Sequence, residues 1–290
     1  MLRSGLIGCD ILASRSPWLH EQEARALGLT LKYELFDFKV LGLGEADLAP
    51  MLRRLSREGF CGVNVTFPFK AAVMPLLDSL DDGAVLVGAV NTVAMRDGRL
   101  VGYNTDMIGF RDSFARELPQ ASLERVLQLG AGGAGAAVAS ALLSLGTRRL
   151  EIADVRNDRA EALAARLRIR FRDADIVTTG VNAIDTDGFS GVVNATPIGM
   201  ASHPGSPLDA RQLKPEMWVV DVVYFPLETQ LLRQAREAGC RVLNGSGMVV
   251  GQAALAFEIM TGRVASQPRM AKSFHEMPLT RVPDDQPPSE

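Results

Sequence analysis

The chain has 290 residues, a formal net charge of −3, and 47% hydrophobic against 22% charged residues. This is the composition of an ordinary globular protein with a sizeable core, and the length fits two domains better than one. Without a basic excess or a block of like charge, neither nucleic acid nor an anionic membrane is expected as a partner. Cys9, Cys61 and Cys240 are scattered and form no C-x-x-C pair. They read as small buried residues of a protein in a reducing, cytoplasmic compartment, not as a disulfide framework or a zinc site. His20, His203 and His275 lack ligand spacing, so no metal is expected. The first apolar run is too short for a signal peptide, and no window approaches a membrane span.

In chain order, Leu2–Gly8 reads as a strand. Ser16-Pro17 then opens a helix to about Leu27, with the serine as cap and the proline in the first turn. Leu31–Phe38 alternates and predicts a second strand. Leu48–Glu58 is amphipathic and helical, and Gly62–Val65 is a short buried strand. Phe67-Pro68-Phe69-Lys70 is expected to start a helix ending near Leu80. Gly88–Val93 and Arg99–Gly102 form a hairpin turning at Asp97-Gly98. Alternating strands and helices imply a mainly parallel sheet, here with an antiparallel piece at its edge. From Gly109 a helix crosses to a second α/β unit, with strands at Val126–Leu129, Arg149–Asp154, Ile176–Thr178, Gly191–Asn194, Trp218–Val223 and Arg241–Leu243. A helix from about Val249 to Met260 is expected to pack back on the first unit. The predicted fold is therefore two α/β domains. Residues 1–108, completed by helices at about 249–278, form a substrate domain with a mixed, mainly parallel sheet. Residues 109–248 form a Rossmann dinucleotide-binding domain, with the cleft between the two. Leu279–Glu290, rich in proline and charge, reads as a disordered tail.

The most specific local signal is Gly130-Ala131-Gly132-Gly133-Ala134-Gly135 between an apolar strand and an Ala-rich helix predicted from Ala136 to Leu145, with Asp154 ending the next strand. Strand, glycine turn, helix, strand and acid in that order are the fingerprint of a dinucleotide site. Gly130 permits the turn, Gly132 admits the pyrophosphate, and Gly135 allows close helix–strand packing. Asp154 would accept hydrogen bonds from an adenosine ribose and repel a 2′-phosphate, which favours NAD over NADP. Arg156, two residues on, is the residue that would meet a 2′-phosphate.

Polar residues stand where core strands of the first domain should simply end. These are Ser14-Arg15-Ser16, Asn64-Val65-Thr66 with Lys70, Asn91-Thr92, and Asn104-Thr105-Asp106. Hydroxyls, amides, one lysine and one carboxylate beside a nucleotide site suit a small polyol held by directional hydrogen bonds.

These segments resemble the shikimate/quinate dehydrogenase family. The likeness is carried by Ser14–Pro17, Asn64–Lys70, Gly88–Thr92, Gly102–Asp106, Gly130–Gly135, Asn194–Met200, Asp221–Tyr224 and Gln252–Phe257, in family order over nearly the whole chain. The resemblance implies that Ser14 and Ser16 bind a substrate carboxylate. It implies that Thr66, Asn91 and Gln252 hold ring hydroxyls, that Tyr224 approaches the substrate, and that Lys70 and Asp106 form the catalytic pair. It places Ala195, Thr196 and Met200 along the cofactor, beside Gly133 and Ala134 of the turn, with Val222 and Gly245 flanking the nicotinamide. Asn64 is read as a support for Lys70.

Oxidising a secondary alcohol requires hydride transfer to the cofactor and removal of the hydroxyl proton. A neutral Lys70 takes that proton, and Asp106 positions Lys70 and the hydroxyl. Asp154-Val155-Arg156 stands where the familiar biosynthetic members carry Asn-Arg-Thr, which resembles the NAD-preferring quinate/shikimate branch and implies a catabolic role. Threonine in place of Ser16 goes with quinate use in this family, so Ser16 leans toward shikimate. An aminoshikimate dehydrogenase and a ligand-binding regulatory protein on the same scaffold are the competing readings. The expected partner is a small molecule, and the chain is expected to be a monomer or a homodimer.

Overall fold

The computed structural model describes residues 1–276, so the tail expected at 279–290 lies outside the described residues. The chain forms two six-stranded sheets joined by helices. The first part runs β1 (Leu2–Gly8), α1 (Ser16–Ala26), β2 (Leu31–Asp37), α2 (Phe38–Leu41), α3 (Leu48–Arg57), β3 (Gly62–Val65), β4 (Ser79–Leu80), α4 (Asp82–Val87), β5 (Thr92–Arg96) and β6 (Arg99–Tyr103). Next, α5 (Thr105–Glu117) carries the chain across, passing through the expected boundary at 108/109. The second part runs β7 (Arg125–Leu129), α6 (Gly133–Ser144), β8 (Arg149–Ala153), α7 (Asn157–Arg170), β9 (Asp175–Thr179), β10 (Gly191–Asn194), β11 (Trp218–Asp221), α8 (Gln230–Glu237) and β12 (Arg241–Leu243). Helices α9 (Ser246–Thr261) and α10 (Gln267–Glu276) return to the first part.

The second sheet is wholly parallel, in the order β12-β11-β10-β7-β8-β9. This is the doubly wound Rossmann arrangement, and its strand order reverses between β7 and β10. The first sheet has the order β2-β1-β3-β5-β6-β4, and β5 alone runs against its neighbours. Ligands bind outside the carboxyl ends of strands where the order reverses. In the first sheet that point lies between β1 and β3, followed by the loops carrying Ser14 and Thr66–Lys70. Since β5 is antiparallel and β6 is parallel to β3, the start of β5 at Thr92 and the end of β6 at Tyr103 lie at this same end. Topology alone therefore gathers Asn91 and Asp106 beside the first two loops.

Several expectations are corrected. No α-helix spans Phe67 to Leu80. Pro75 has no N–H for an i→i−4 bond and would clash with the preceding turn, so the segment folds as turns with a 3₁₀ piece at Met74–Leu76. Ser79–Leu80 then pairs with β6 as an edge strand, which places the antiparallel hairpin inside the sheet instead of at its edge. Gly88 does not begin a strand. It ends α4 at φ +67°, and the Asp81 side chain caps the start of that helix by accepting from the Ala84 N–H at 2.8 Å. Ser16 is not the cap of α1. Arg15 occupies the cap position without a side-chain bond, and Ser14 Oγ accepts from the Ser16 N–H at 3.2 Å. Helix α6 starts at Gly133, inside the glycine turn, not at Ala136.

Packing follows the apolar pattern. Helix α3 buries Leu48, Met51, Leu52 and Leu55, one stripe at i, i+3, i+4, i+7. Ala136, Ala137, Ala139 and Ala141 of α6 are buried. Helix α10 is fastened to α1 through buried Glu23, which accepts from Arg269 Nε at 2.8 Å and Nη2 at 2.5 Å and from the Ser266 N–H at 2.8 Å.

His20 on α1 is 1% exposed, with Tyr33 and Phe257 rings centred 4.7 and 6.0 Å away. Burial pushes its imidazole down from 6.5 to about 3. The unfolded chain therefore binds a proton that the folded chain refuses. This contribution to stability is intact above about pH 6.5 and is lost as pH falls toward 3, at about 1.4 kcal/mol per pH unit. In urea unfolding, a His20→Phe variant is expected to gain about 2 kcal/mol on the unmodified chain between pH 7.5 and 5. A difference that does not change with pH would contradict this.

Candidate active site

The glycine turn lies at the strand-order reversal of the second sheet. Gly130 has φ +99°, a conformation that disfavours any side chain. A Cβ built there would meet the Ala195 carbonyl oxygen at 2.7 Å and Thr196 Cγ2 at 3.0 Å, so the segment after β10 lies directly on the turn. A Cβ at Gly135 would lie 2.2 Å from the Gly130 carbonyl oxygen. Gln128 Nε2 donates to the Gly130 and Gly135 carbonyls, both at 2.9 Å, and so locks the turn from beneath. Gly132 has nothing within 4 Å of its Cβ direction, and both it and Gly133 are exposed. The first N–H groups of α6, from Gly133 through Gly135, have no intrahelical acceptor. An open glycine face, free N–H donors and a helix N-terminus fit a pyrophosphate.

Asp154 directly follows β8 as a mostly buried carboxylate. Its Oδ2 accepts from the Ala131 N–H at 2.7 Å, and its Oδ1 accepts from the Arg156 N–H at 2.8 Å. The Arg156 guanidinium turns instead to Asp158, at 2.6 Å from Nη2. Met200 is 42% exposed, and its backbone bonds stay within its own loop. Neither Arg156 nor Met200 is drawn into the turn, whereas Ala195 and Thr196 are.

Lys70 and Asp106 are brought together. Nζ donates to Asp106 Oδ2 at 2.6 Å, and the two side chains are only 19% and 10% exposed. The Lys70 carbonyl accepts from the Val90 N–H at 2.8 Å, which fixes the lysine backbone against the strand opening of β5. A Cβ at Gly133 would lie 3.4 Å from Lys70 Cδ. The lysine of one domain thus reaches the glycine turn of the other.

Of the remaining expected residues, Asn91 adjoins this pair through Thr105, the neighbour of Asp106. Ser14 and Ser16 hydroxyls are 3.2 Å apart. The Thr66 methyl packs on Gly8, so the loops after β1 and β3 touch. Asn91 Nδ2 donates to Thr105 Oγ1 at 2.9 Å, next to Asp106. Gln252 sits on α9 where that helix crosses α5. Tyr224 is 38% exposed, and its ring is centred 6.2 Å from Phe274. Val222 and Gly245 touch closely enough that a Cβ on Gly245 would lie 2.2 Å from the Val222 carbonyl oxygen.

Sequence reasoning missed Asp221, which is fully buried. It accepts from Asn194 Nδ2 at 2.9 Å, Thr229 Oγ1 at 2.7 Å and the Val223 N–H at 3.0 Å. Burial pushes its carboxyl up to about 6, the three donors pulling the other way. Through Asn194 it anchors the loop that lies on the glycine turn. The available signal was its place at the end of a buried strand, opposite Asn194.

Fold and site together define a two-domain, dinucleotide-binding oxidoreductase. Comparison with known proteins makes this specific. Residues 6–93 match the shikimate dehydrogenase substrate binding domain, and residues 245–273 match the shikimate 5'-dehydrogenase C-terminal domain. A shikimate dehydrogenase (NADP(+)) of Streptomyces avermitilis is 49% identical over 94% of this chain and 94% of its own length. A quinate/shikimate dehydrogenase (NAD(+)) of Corynebacterium efficiens is 43% identical over 93% of this chain and 96% of its own. The solved quinate dehydrogenase of Corynebacterium glutamicum in complex with NAD superposes with a TM-score of 0.90 at 40% identity, covering 95% of this chain and 99% of that one. The chain belongs to the shikimate dehydrogenase family. Its activity class is accordingly that of a shikimate/quinate dehydrogenase using a nicotinamide dinucleotide.

Proposed function

We propose that this protein is an NAD-preferring enzyme that moves a hydride between the C3 hydroxyl of shikimate, and to a lesser extent quinate, and NAD, giving the 3-dehydro acid. The observation that carries this reading is the Lys70–Asp106 contact at 2.6 Å, set against Gly133 of the nucleotide turn. When bound, the nicotinamide supplies hydride acceptance and return. The chain supplies orientation and the proton path. Ser14 and Ser16 hold the carboxylate with their paired hydroxyls, Thr66, Asn91 and Gln252 take the ring hydroxyls, and Tyr224 closes over the substrate. Lys70 Nζ removes the proton of the reacting hydroxyl, or donates it in reverse, while Asp106 Oδ2 keeps Nζ aimed at that oxygen. Gly130 to Gly135 cradle the pyrophosphate, and Ala195, Thr196, Met200, Val222 and Gly245 border the cofactor.

The preference for NAD is supported by Asp154, a carboxylate where a 2′-phosphate would fall, and by Arg156, already engaged by Asp158. The Streptomyces relative is named for NADP(+) and the Corynebacterium relatives for NAD(+), so the preference rests on these residues of this chain. The absence of threonine at Ser16 supports shikimate as the better acid.

Initial rates with shikimate and quinate, each crossed with NAD and NADP at alkaline pH, test the reading. Turnover is expected to be fastest with shikimate and NAD, with kcat/KM at least about tenfold above that with NADP. Equal or better use of NADP would overturn the cofactor assignment. Thermal stabilisation by the acids without cofactor reduction would favour a binding protein instead. Lys70→Ala and Asp106→Ala are each expected to fold and to lose roughly 10²–10⁴-fold in kcat, the usual range for a positioned proton-transfer group. Near-normal kcat in both would remove the pair from the chemistry.

A further inference from the structure

The loop from β11 to α8 belongs to the dinucleotide domain but lies on elements of the other. Its Leu227 packs in the cluster built by Leu19 of α1, Val250 of α9, and Met270 and Phe274 of α10. The Tyr224 ring is centred 6.2 Å from that of Phe274. Phe225, which follows Tyr224, is 50% exposed, an unfavourable place for a phenylalanine unless something uses its ring. The Arg15 guanidinium carbon lies 5.1 Å from the centre of that ring. The same carbon lies 5.0 Å from the centre of the Phe274 ring, and Arg15 Nη1 donates to the Phe274 carbonyl at 3.2 Å. Both ring distances are within reach of a cation–π contact. The neighbouring Ser273 carbonyl accepts from Trp18 Nε1 of α1 at 2.9 Å, so the end of α10 that Arg15 grips is itself fastened.

Arg15 stands in sequence between Ser14 and Ser16, the pair assigned to the substrate carboxylate. A free guanidinium at that place would be a natural fork for a carboxylate. This one is committed elsewhere, with its carbon set near two aromatic rings and a donor spent on a backbone carbonyl. A planar, weakly hydrated cation is the group best suited to such stacking. One side of the contact is fixed, because Phe274 is fully buried and α10 is held to α1 by Arg269 and Glu23. The other side, Phe225, is joined directly to Tyr224. Arg15 therefore connects the two loops assigned to the acid from opposite domains, the serine pair of the first and Tyr224 of the second.

We propose that Arg15 is a positioning residue for the acid substrate, clasping Phe225 and with it the Tyr224 loop of the dinucleotide domain to the serine loop of the first domain. The serine hydroxyls and Tyr224 are thereby set against the acid together. The proposal rests on the reading of the site given above. Arg15 acts through Phe225 and not by contact with the carboxylate. Groups that hold the acid equally before and during reaction change KM, whereas the Lys70–Asp106 pair governs kcat.

Phe225→Leu keeps an apolar side chain at a half-exposed position and removes only the ring face. It is expected to raise KM for shikimate about fivefold, the scale of one partly exposed cation–π contact, and to leave kcat and the Kd for NADH within about twofold. Arg15→Leu loses both rings and the carbonyl bond and is expected to raise KM about tenfold. The double variant is expected to stay within about twofold of Arg15→Leu, because both changes remove one shared contact. Phe225→Tyr keeps a ring face and is expected to hold KM within about twofold of the unmodified enzyme. An Arg15 that bound the carboxylate itself would give another pattern, with KM raised by Arg15→Leu and unmoved by Phe225→Leu. That pattern overturns the proposal, as do effects that multiply in the double variant. An unmodified enzyme that turns over neither acid would instead sink the proposed function, and this inference with it.

Discussion

The site depends on how closely α5 and α9 cross. The first helix carries the chain out of the substrate-side sheet, and the second brings it back from the Rossmann sheet. They meet at two glycines. A Cβ on Gly109 would lie 2.7 Å from the Gln252 nitrogen and from the Met248 carbonyl oxygen, and one on Gly251 would lie 3.1 Å from Gly109 Cα. Real Cβ atoms do not sit that near backbone, so any side chain at Gly109 must push the helices apart. Asp106 stands one turn before Gly109, and Gln252 adjoins Gly251. The approach that joins the two halves therefore also sets where Asp106 and Gln252 stand relative to the glycine turn.

Around this crossing the two sheets play complementary parts. Each has a reversal of strand order, and each presents its loops at the carboxyl ends of the strands beside that reversal. The first offers hydroxyls, amides and a lysine. The second offers glycine N–H donors and an acid. Lys70 bridges them, its Nζ on Asp106 and its methylenes near Gly133. Beneath the surface residues lie buried polar groups that bond to one another and to the backbone. Asp221 ties down the loop beginning at Asn194, Gln128 ties the glycine turn, and the bonds of Asn64 and Asn91 tie the loops of the first sheet. Buried polar groups are costly unless paired, so these bonds hold the loops that carry the surface residues.

Much of this was legible in the sequence because it is local. The glycine turn and Asp154 lie within one βαβ unit, and the hairpin at Asp97-Gly98 is fixed by two adjacent residues, both with positive φ. The loops ending β1 and β3 announced themselves as polar residues at the ends of apolar runs. The sequence misled where local signals competed. Phe67-Pro68-Phe69-Lys70 resembles a helix start, yet Pro75 forbids the helix it would begin. Ser16 has the chemistry of a cap but lies inside the helix, and its hydroxyl accepts from Ser14. Other features could not be read from spacing at all. Tyr33 in an alternating strand reads as core, and its partner Asn64 lies 31 residues away. Gly109 and Gly251 look like weak points in helices until the two helices are seen to cross at them.

The central claim is that this crossing, more than either domain alone, makes the site catalytic. Gly109→Val tests it directly when kcat/KM for shikimate and the Kd for NADH are measured on the same folded preparation. The account predicts that NADH binding stays within about threefold, since the glycine turn and Asp154 belong to the second domain alone. It predicts that kcat/KM falls by about 100-fold, the scale expected when reacting groups are displaced by about 1 Å. A folded variant that turns over shikimate within threefold of the unmodified enzyme would contradict it.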